Sequence, residues 1–260
     1  MKLHCLGTAG YHPSEARHTA CFFLPEPGIA FDAGSSLFRL HGLIATESIS
    51  VLLSHTHLDH VMGLTFFWDL LGGNTPLERI HIYAQREKID AIREHLFHPS
   101  LFPVIPPFEW HVLEDLGPRF ELGGAKCTWF PLEHPGGAVG YRLDFPGVSL
   151  AYVTDTTCED DSEYWRYLQG VDWLVHECNF TDQEKKMARH TGHSWPTEVV
   201  AQATRHGVER LILTHFNPMV SHPDPVGLRE VLQKRRLENT PEQAPRLIEL
   251  ARDNMAFELI

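Results

Sequence analysis

Seven consecutive residues, Ser54-His55-Thr56-His57-Leu58-Asp59-His60, set three imidazoles and a carboxylate directly behind the apolar run Val51-Leu52-Leu53. A lone histidine reads as a hydrogen-bonded core or surface residue; four potential ligands within six positions read as a metal site. If Ser50 to Ser54 is a buried strand, its period of two directs His55 and His57 to the same side, where both imidazoles reach one ion. Asp59 and His60 then fall just past the strand end, where a change of direction presents them to a second ion. Nitrogen and carboxylate ligands without thiolate suit zinc, and iron and manganese also accept them.

The rest of the composition sets bounds. At 260 residues and 43% hydrophobic, the chain suffices for one large core, and a single domain over residues 1–260 is expected, since no stretch resembles a linker. No run of about 18 apolar residues offers a membrane span, and no secretion signal opens the sequence, so a soluble, cytoplasmic protein with no membrane partner is expected. Cys5, Cys21, Cys127, Cys158 and Cys178 form no Cys-x-x-Cys pair, and their odd number argues against a disulfide framework. They read as small buried hydrophobes. The net charge of −12 opposes a long polyanionic partner. The dense basic clusters, Lys185-Lys186 and Lys234-Arg235-Arg236, are short and read as solvated helix faces.

Along the chain, strands and helices alternate. Strands are expected over Met1–Leu6, Thr19–Leu24, Gly28–Phe31, Ser50–Ser54 and Ile80–Ala84, with helical stretches near Gly63–Leu71 and Glu87–Leu96. Residues 97–110 hold four prolines and read as a loop carrying aromatic side chains, fit either to wall a cleft or to pack along an edge. In the second half, Lys126–Pro131 leads to His134, Val148–Val153 to Asp155, Val171–Val175 to His176-Glu177, and Arg210–Leu213 to His215. Each run delivers a ligand or proton carrier at its C-terminal end, the edge where α/β sheets build their sites.

With these positions on the page, the chain resembles the metallo-β-lactamase superfamily. The likeness is carried by His55-x-His57-x-Asp59-His60, His134, Asp155 and His215. It extends to Leu6-Gly7-Thr8-Ala9-Gly10, to Phe31-Asp32-Ala33-Gly34, and to Ala251-Arg252-Asp253-Asn254-Met255 as the signature of the closing strand. The resemblance implies an α/β fold, a four-layer αββα sandwich. It implies two divalent metal ions, Zn2+ foremost, with Mn2+ or iron as substitutes. His55, His57 and His134 would hold one; Asp59, His60 and His215 the other; Asp155 would bridge them, as the repulsion between two close cations requires.

Within that superfamily the chain is most similar to the RNase Z-like phosphodiesterases. His176-Glu177-Cys178-Asn179-Phe180 and Gly192-His193-Ser194-Trp195 resemble two segments in which the second histidine faces the scissile phosphate and the glutamate steadies it. That likeness makes His193 and Glu177, with Asp59, the candidate catalytic residues. A two-metal site holds the attacking oxygen and polarises phosphoryl oxygens, and His193 could serve the leaving group. The competing reading has His193 merely capping a helix near Pro196, with Ser194 as the N-cap.

Departures from the branch shape the substrate expectation. Leu58 stands where RNase Z chains usually carry glycine, which would crowd the site floor. Only 20 residues separate His134 from Asp155, and 37 separate Asp155 from His193, without a basic Gly/Pro-rich exosite arm. With the acidic charge, this counts against pre-tRNA and favours a small or short phosphodiester such as a cyclic nucleotide, a cyclic sugar phosphate or an RNA end. Cys21 lacks the neighbouring cysteines of the extra zinc site in phosphonate-breakdown relatives. The alternatives are a thioester or lactone hydrolase on the same metals, or a non-catalytic metal-binding scaffold. A homodimer is the default for a soluble enzyme.

Overall fold

Alternating burial builds the first sheet. In Arg79–Ala84, Ile80, Ile82 and Ala84 are buried while the intervening positions are less so, the period-two signature of a strand with one face on a core. The computed structural model describes residues 1–72, 75–237 and 245–259. Its strands are β1 (Lys2–Gly7), β2 (Cys21–Leu24), β3 (Ile29–Phe31), β4 (Ser48–Leu52), β5 (Arg79–Ala84), β6 (Phe108–Val112), β7 (Arg119–Leu122), β8 (Ala125–Leu132), β9 (Ala138–Phe145), β10 (Val148–Val153), β11 (Trp173–Glu177), β12 (Arg210–Thr214), β13 (Leu247–Leu250) and β14 (Met255–Glu258). They form two mixed sheets, β14-β1-β2-β3-β4-β5-β6 and β13-β12-β11-β10-β9-β8-β7. The chain divides into two compact units, Met1–Trp129 with Arg252–Ile260, and Phe130–Ala251.

In the first unit β3, β4, β5 and β6 run parallel. Ile49, Val51, Ile80 and Ile82 meet Leu37, Leu40, Leu64 and Phe67 from the helical segments in one buried cluster. Each such side chain contributes roughly 1.5–3 kcal/mol by leaving water. The second unit repeats the scheme with parallel β10 to β13, over a core that includes Val153, Leu174, Leu211, Val199 and Val200. All five cysteines are free and buried; burial pushes the Cys127 thiol up to about 12, and desolvation raises the other four as well.

Several boundaries differ from the expectation, each for a visible reason. β4 stops at Leu52 because the Ser54 amide donates to Asp32 Oδ1 at 2.7 Å rather than to a neighbouring strand. β11 begins at Trp173 because the Asp172 amide donates to the Ser149 hydroxyl, while its carboxylate accepts the Ser149 amide. His176 and Glu177 belong to the strand itself, paired with Leu213 and Thr214 of β12. Residues 108–110 are not loop but the start of β6, which follows immediately after the last proline of the stretch, Pro107. The aromatics of this region pack along the edge, with Phe67 5.9 Å from Phe102 and 5.6 Å from Phe108 between ring centroids.

The Ala251–Met255 signature is a turn between β13 and β14, with Asn254 at φ 66°. It places Asp253 where one carboxylate takes the Thr8 hydroxyl at 2.8 Å, the His18 amide at 2.7 Å and the Arg39 guanidinium at 2.6 Å. The Asp253 side chain is 5% exposed, and removing it takes a shared acceptor from Thr8, His18 and Arg39. Asp253→Ala is expected to lower the unfolding free energy by roughly 3 kcal/mol, measured by urea denaturation; a midpoint equal to the parent's would show the cluster to be ornamental.

Candidate metal centre

Each unit carries its own share of the seven ligand candidates. In the first, His55 and His57 lie in the loop after β4 rather than in a strand, so strand parity is not what orients them. Asp59 and His60 sit on the short helix Leu58–Val61 that His57 opens. The His55 ring centroid is 4.5 Å from His57 and 4.2 Å from His60. Gly63 lets the segment after this helix pack directly on the backbone of Ala33 and Gly34, since a Cβ there would meet the Gly34 carbonyl oxygen at 2.2 Å.

Hydrogen bonds fix which nitrogen each ring presents. His60 Nδ1 donates to Asp32 Oδ2 at 2.8 Å, which leaves Nε2 as the lone-pair edge, 3.3 Å from Asp59 Oδ2. The Ser54 hydroxyl has one proton, and it lies 2.8 and 2.9 Å from the two Asp32 oxygens, so its contact with His55 Nδ1 at 3.0 Å must be donated by the ring. Asp32 thus sets the tautomer of His60 directly and of His55 through Ser54. The Tyr11 amide donates to Asp59 Oδ2 at 2.7 Å. Asp32 was quoted in the sequence only as part of a motif; its fully buried carboxylate and its φ of 57° mark it as a positioning residue.

In the second unit, Asp155 follows β10 and His215 follows β12, both with positive φ, 46° and 58°. The two Asp155 oxygens divide between rings, Oδ1 lying 3.1 Å from His215 Nε2 and Oδ2 3.5 Å from His134 Nε2. The Thr154 hydroxyl also donates to Oδ1, at 2.6 Å. His134 Nδ1 donates to the Gly192 carbonyl at 2.9 Å, so its Nε2 is the lone-pair edge. Gly192, at φ +76°, has no room for a side chain: a Cβ would lie 2.6 Å from Pro135 and 3.0 Å from the His134 ring.

Glu177 and His193 meet. His193 Nδ1 donates to Glu177 Oε1 at 3.0 Å, and the carboxylate also accepts the amides of Thr156 and Asn179. Burial works to raise the Glu177 carboxyl, but the charge and hydrogen bond of His193, with His215 beyond, outweigh it and hold the group below its ordinary value. The helix Pro196–Arg205 is entered from Trp195, with Pro196 in its first turn. Ser194 is not its cap; its hydroxyl donates to the Thr156 carbonyl at 2.6 Å. Ligand-type atoms of Asp155, His193 and His215 all lie within 4.8 Å of one another. Leu58 does not crowd a site floor, because its side chain is 69% exposed.

The donor chemistry fits divalent cations of the zinc class: imidazole nitrogens and carboxylates, no thiolate, and ring orientation fixed from behind by carboxylate, hydroxyl or carbonyl partners. Comparison with known proteins agrees. The model of the β-lactamase superfamily domain matches residues 28–216, and the chain belongs to that superfamily. Ribonuclease Z from Nostoc sp. is 26% identical over 91% of this chain and 90% of its own length. The metallo-β-lactamase fold protein YhfI from Bacillus subtilis superposes with a TM-score of 0.74 at 20% identity, covering 98% of each chain. Human tRNase Z, short form, gives 0.73 at 20% identity over the whole of both chains. The fold is therefore the metallo-β-lactamase fold, as expected, and the branch is the RNase Z-like one, a group of metal-dependent hydrolases.

Asp32→Asn keeps the volume but gives up the full carboxylate behind two rings. It is expected to weaken zinc binding 10- to 100-fold, read by competition with a chromophoric chelator, with the fold retained by circular dichroism. Unchanged zinc affinity would remove Asp32 from the site.

Proposed function

We propose that this chain is a dinuclear metal-dependent phosphodiesterase that hydrolyses a small or short phosphodiester: a cyclic nucleotide, a cyclic sugar phosphate or an RNA end. In this reading His55, His57 and His134 hold one divalent cation, Asp59, His60 and His215 the other, and Asp155 bridges them, with zinc as the resident metal and manganese or iron as substitutes. When bound, such a pair supplies Lewis acidity to the phosphoryl oxygens and an activated nucleophile. The observation that carries the reading is the division of the Asp155 oxygens between two imidazoles, beside the Glu177–His193 hydrogen bond.

The protein's own groups then account for the departing oxygen. Glu177, buried and fixed by two backbone amides, holds the His193 proton on Nδ1 and favours the charged ring. The opposite edge of that imidazolium carries a proton for the leaving alkoxide, a service worth about a hundred-fold to ten-thousand-fold in rate. Asp59, held by the Tyr11 amide, serves as a ligand beside the lone-pair edge of His60.

The net charge of −12 favours a small substrate over a long RNA. So does the length of the match to the Nostoc enzyme: it spans 292 positions, more than the 260 residues of this chain, so the relative carries stretches that this chain lacks. A groove of about 350 Å³ beside the ligand loop, lined by Thr56, Leu58, Val61, Ile92, Leu96 and Leu101, supplies apolar surface for a substituent of the diester. The name of the Nostoc relative favours a second reading, cleavage at an RNA 3′ end, which the same assays test. No helix among the described residues is long and apolar enough to cross a membrane.

Activity on bis(p-nitrophenyl) phosphate is expected to vanish with a chelator and to return with Zn2+ or Mn2+. A metal-replete chain inert on this diester, on cyclic nucleotides, on dinucleotides and on pre-tRNA would overturn the proposal. His193→Ala should retain the parent's metal content and lose turnover by a hundred-fold or more; parental rates would refute its role. Leu58→Asp should raise KM for the bis-aryl diester at least five-fold while leaving KM for methyl p-nitrophenyl phosphate near the parent's, and equal shifts on both would detach the groove from substrate choice.

A further inference from the structure

Outside the ligand set, one cluster has the chemistry of a cation site. His81 on β5 and Glu109 and His111 on β6 lie on adjacent parallel strands, with His81 opposite Glu109 and Tyr83 opposite His111 in the register. Positions 81, 109 and 111 share strand parity, so their side chains leave the same face of the sheet, opposite the face on which Ile80 and Ile82 are buried. Each of the three offers a ligand atom within 4.8 Å of the others. His81 Nδ1 lies 3.0 Å from His111 Nε2 and 3.4 Å from Glu109 Oε2.

Those separations match what a small cation needs. Zinc bonds of about 2.0–2.1 Å to nitrogen and oxygen place neighbouring tetrahedral ligands roughly 3.3 Å apart. The rings are already held: Tyr83 stacks on His111 at 4.4 Å between centroids with 11° between planes, and Phe120 stacks on Tyr83 at 5.6 Å and 3°. Access is open, with Glu109 51% and His81 19% exposed.

We propose that His81, Glu109 and His111 form a peripheral site for a divalent cation of the zinc class, separate from the seven ligands above, that clips the edge strand β6 to β5. Two nitrogens and one carboxylate oxygen would ligate, with water completing the shell. Without the ion one ring donates its inner proton to the other. With the ion bound, that proton moves to the outer nitrogen of its own ring, so both inner lone pairs face the cation and both rings remain neutral.

The test uses the full chain, stripped with a chelator and titrated with Zn2+, with zinc per chain counted by elemental analysis and the steps resolved by calorimetry. The His81→Ala/His111→Ala double variant is expected to hold one zinc fewer than the parent, with phosphodiester turnover unchanged. Glu109→Gln, a conservative change at an exposed position, should weaken that same step at least ten-fold and decides the matter should the double variant fail to fold. Zinc also should raise the parent's Tm by more than that of Glu109→Gln. Identical zinc content and isotherms in the parent and Glu109→Gln would overturn the site. The outcome is independent of the proposed activity, because a chain inert on every diester can still lose one zinc on this substitution.

Discussion

An imidazole offers a lone pair to a cation only while its other nitrogen keeps the proton, so a metal centre built on histidines depends on what stands behind each ring. Asp32 is that constraint in the first unit. It lies just after β3, next to β4 in the parallel register, and its two oxygens serve His60 directly and His55 through the Ser54 hydroxyl. The Ser54 amide bonded to the same carboxylate is also what ends β4 and frees the ligand loop. Strand termination and ligand orientation are one interaction. In the second unit a backbone carbonyl and a buried carboxylate take the same part, with Gly192 behind His134 and Glu177 behind His193.

Much of this was legible in the sequence because the relevant signals are local. Apolar runs followed by His, Asp or Glu mark the carboxyl ends of β4, β8, β10, β11 and β12, and the ligand candidates lie after β4, β8, β10 and β12. What escaped was non-local or competitive. No periodicity reveals that Asp32 belongs with Ser54 and His60, since the pairing comes from the register of two parallel strands and from a left-handed backbone at Asp32. The start of β11 moved by two residues because the Asp172 side chain and Ser149 captured each other's amides, a choice that strand propensity does not encode. Ser194 looked like a helix cap by composition, yet its hydroxyl was claimed by the Thr156 carbonyl.

The aromatic, proline-rich stretch illustrates the same limit. Four prolines correctly excluded a helix, but they say nothing about where pairing resumes, and Phe108 enters β6 directly after Pro107. Its apolar side chains divide by burial. Phe97 and Phe108 close the core against Phe67, whereas Leu101, 74% exposed, lines the groove beside Thr56 and Leu58.

The first unit is discontinuous in the chain: β14 adds an edge to the sheet begun by β1, and Asp253 ties down Thr8, His18 and Arg39. During translation the amino-terminal half is made with one edge of its sheet unpaired, and that edge stays open until the segment carrying Asp253 and β14 follows. Folding of the amino-terminal half is therefore completed only after Phe130–Ala251 has been made, and a premature stop before Asp253 leaves an incomplete sheet open to aggregation.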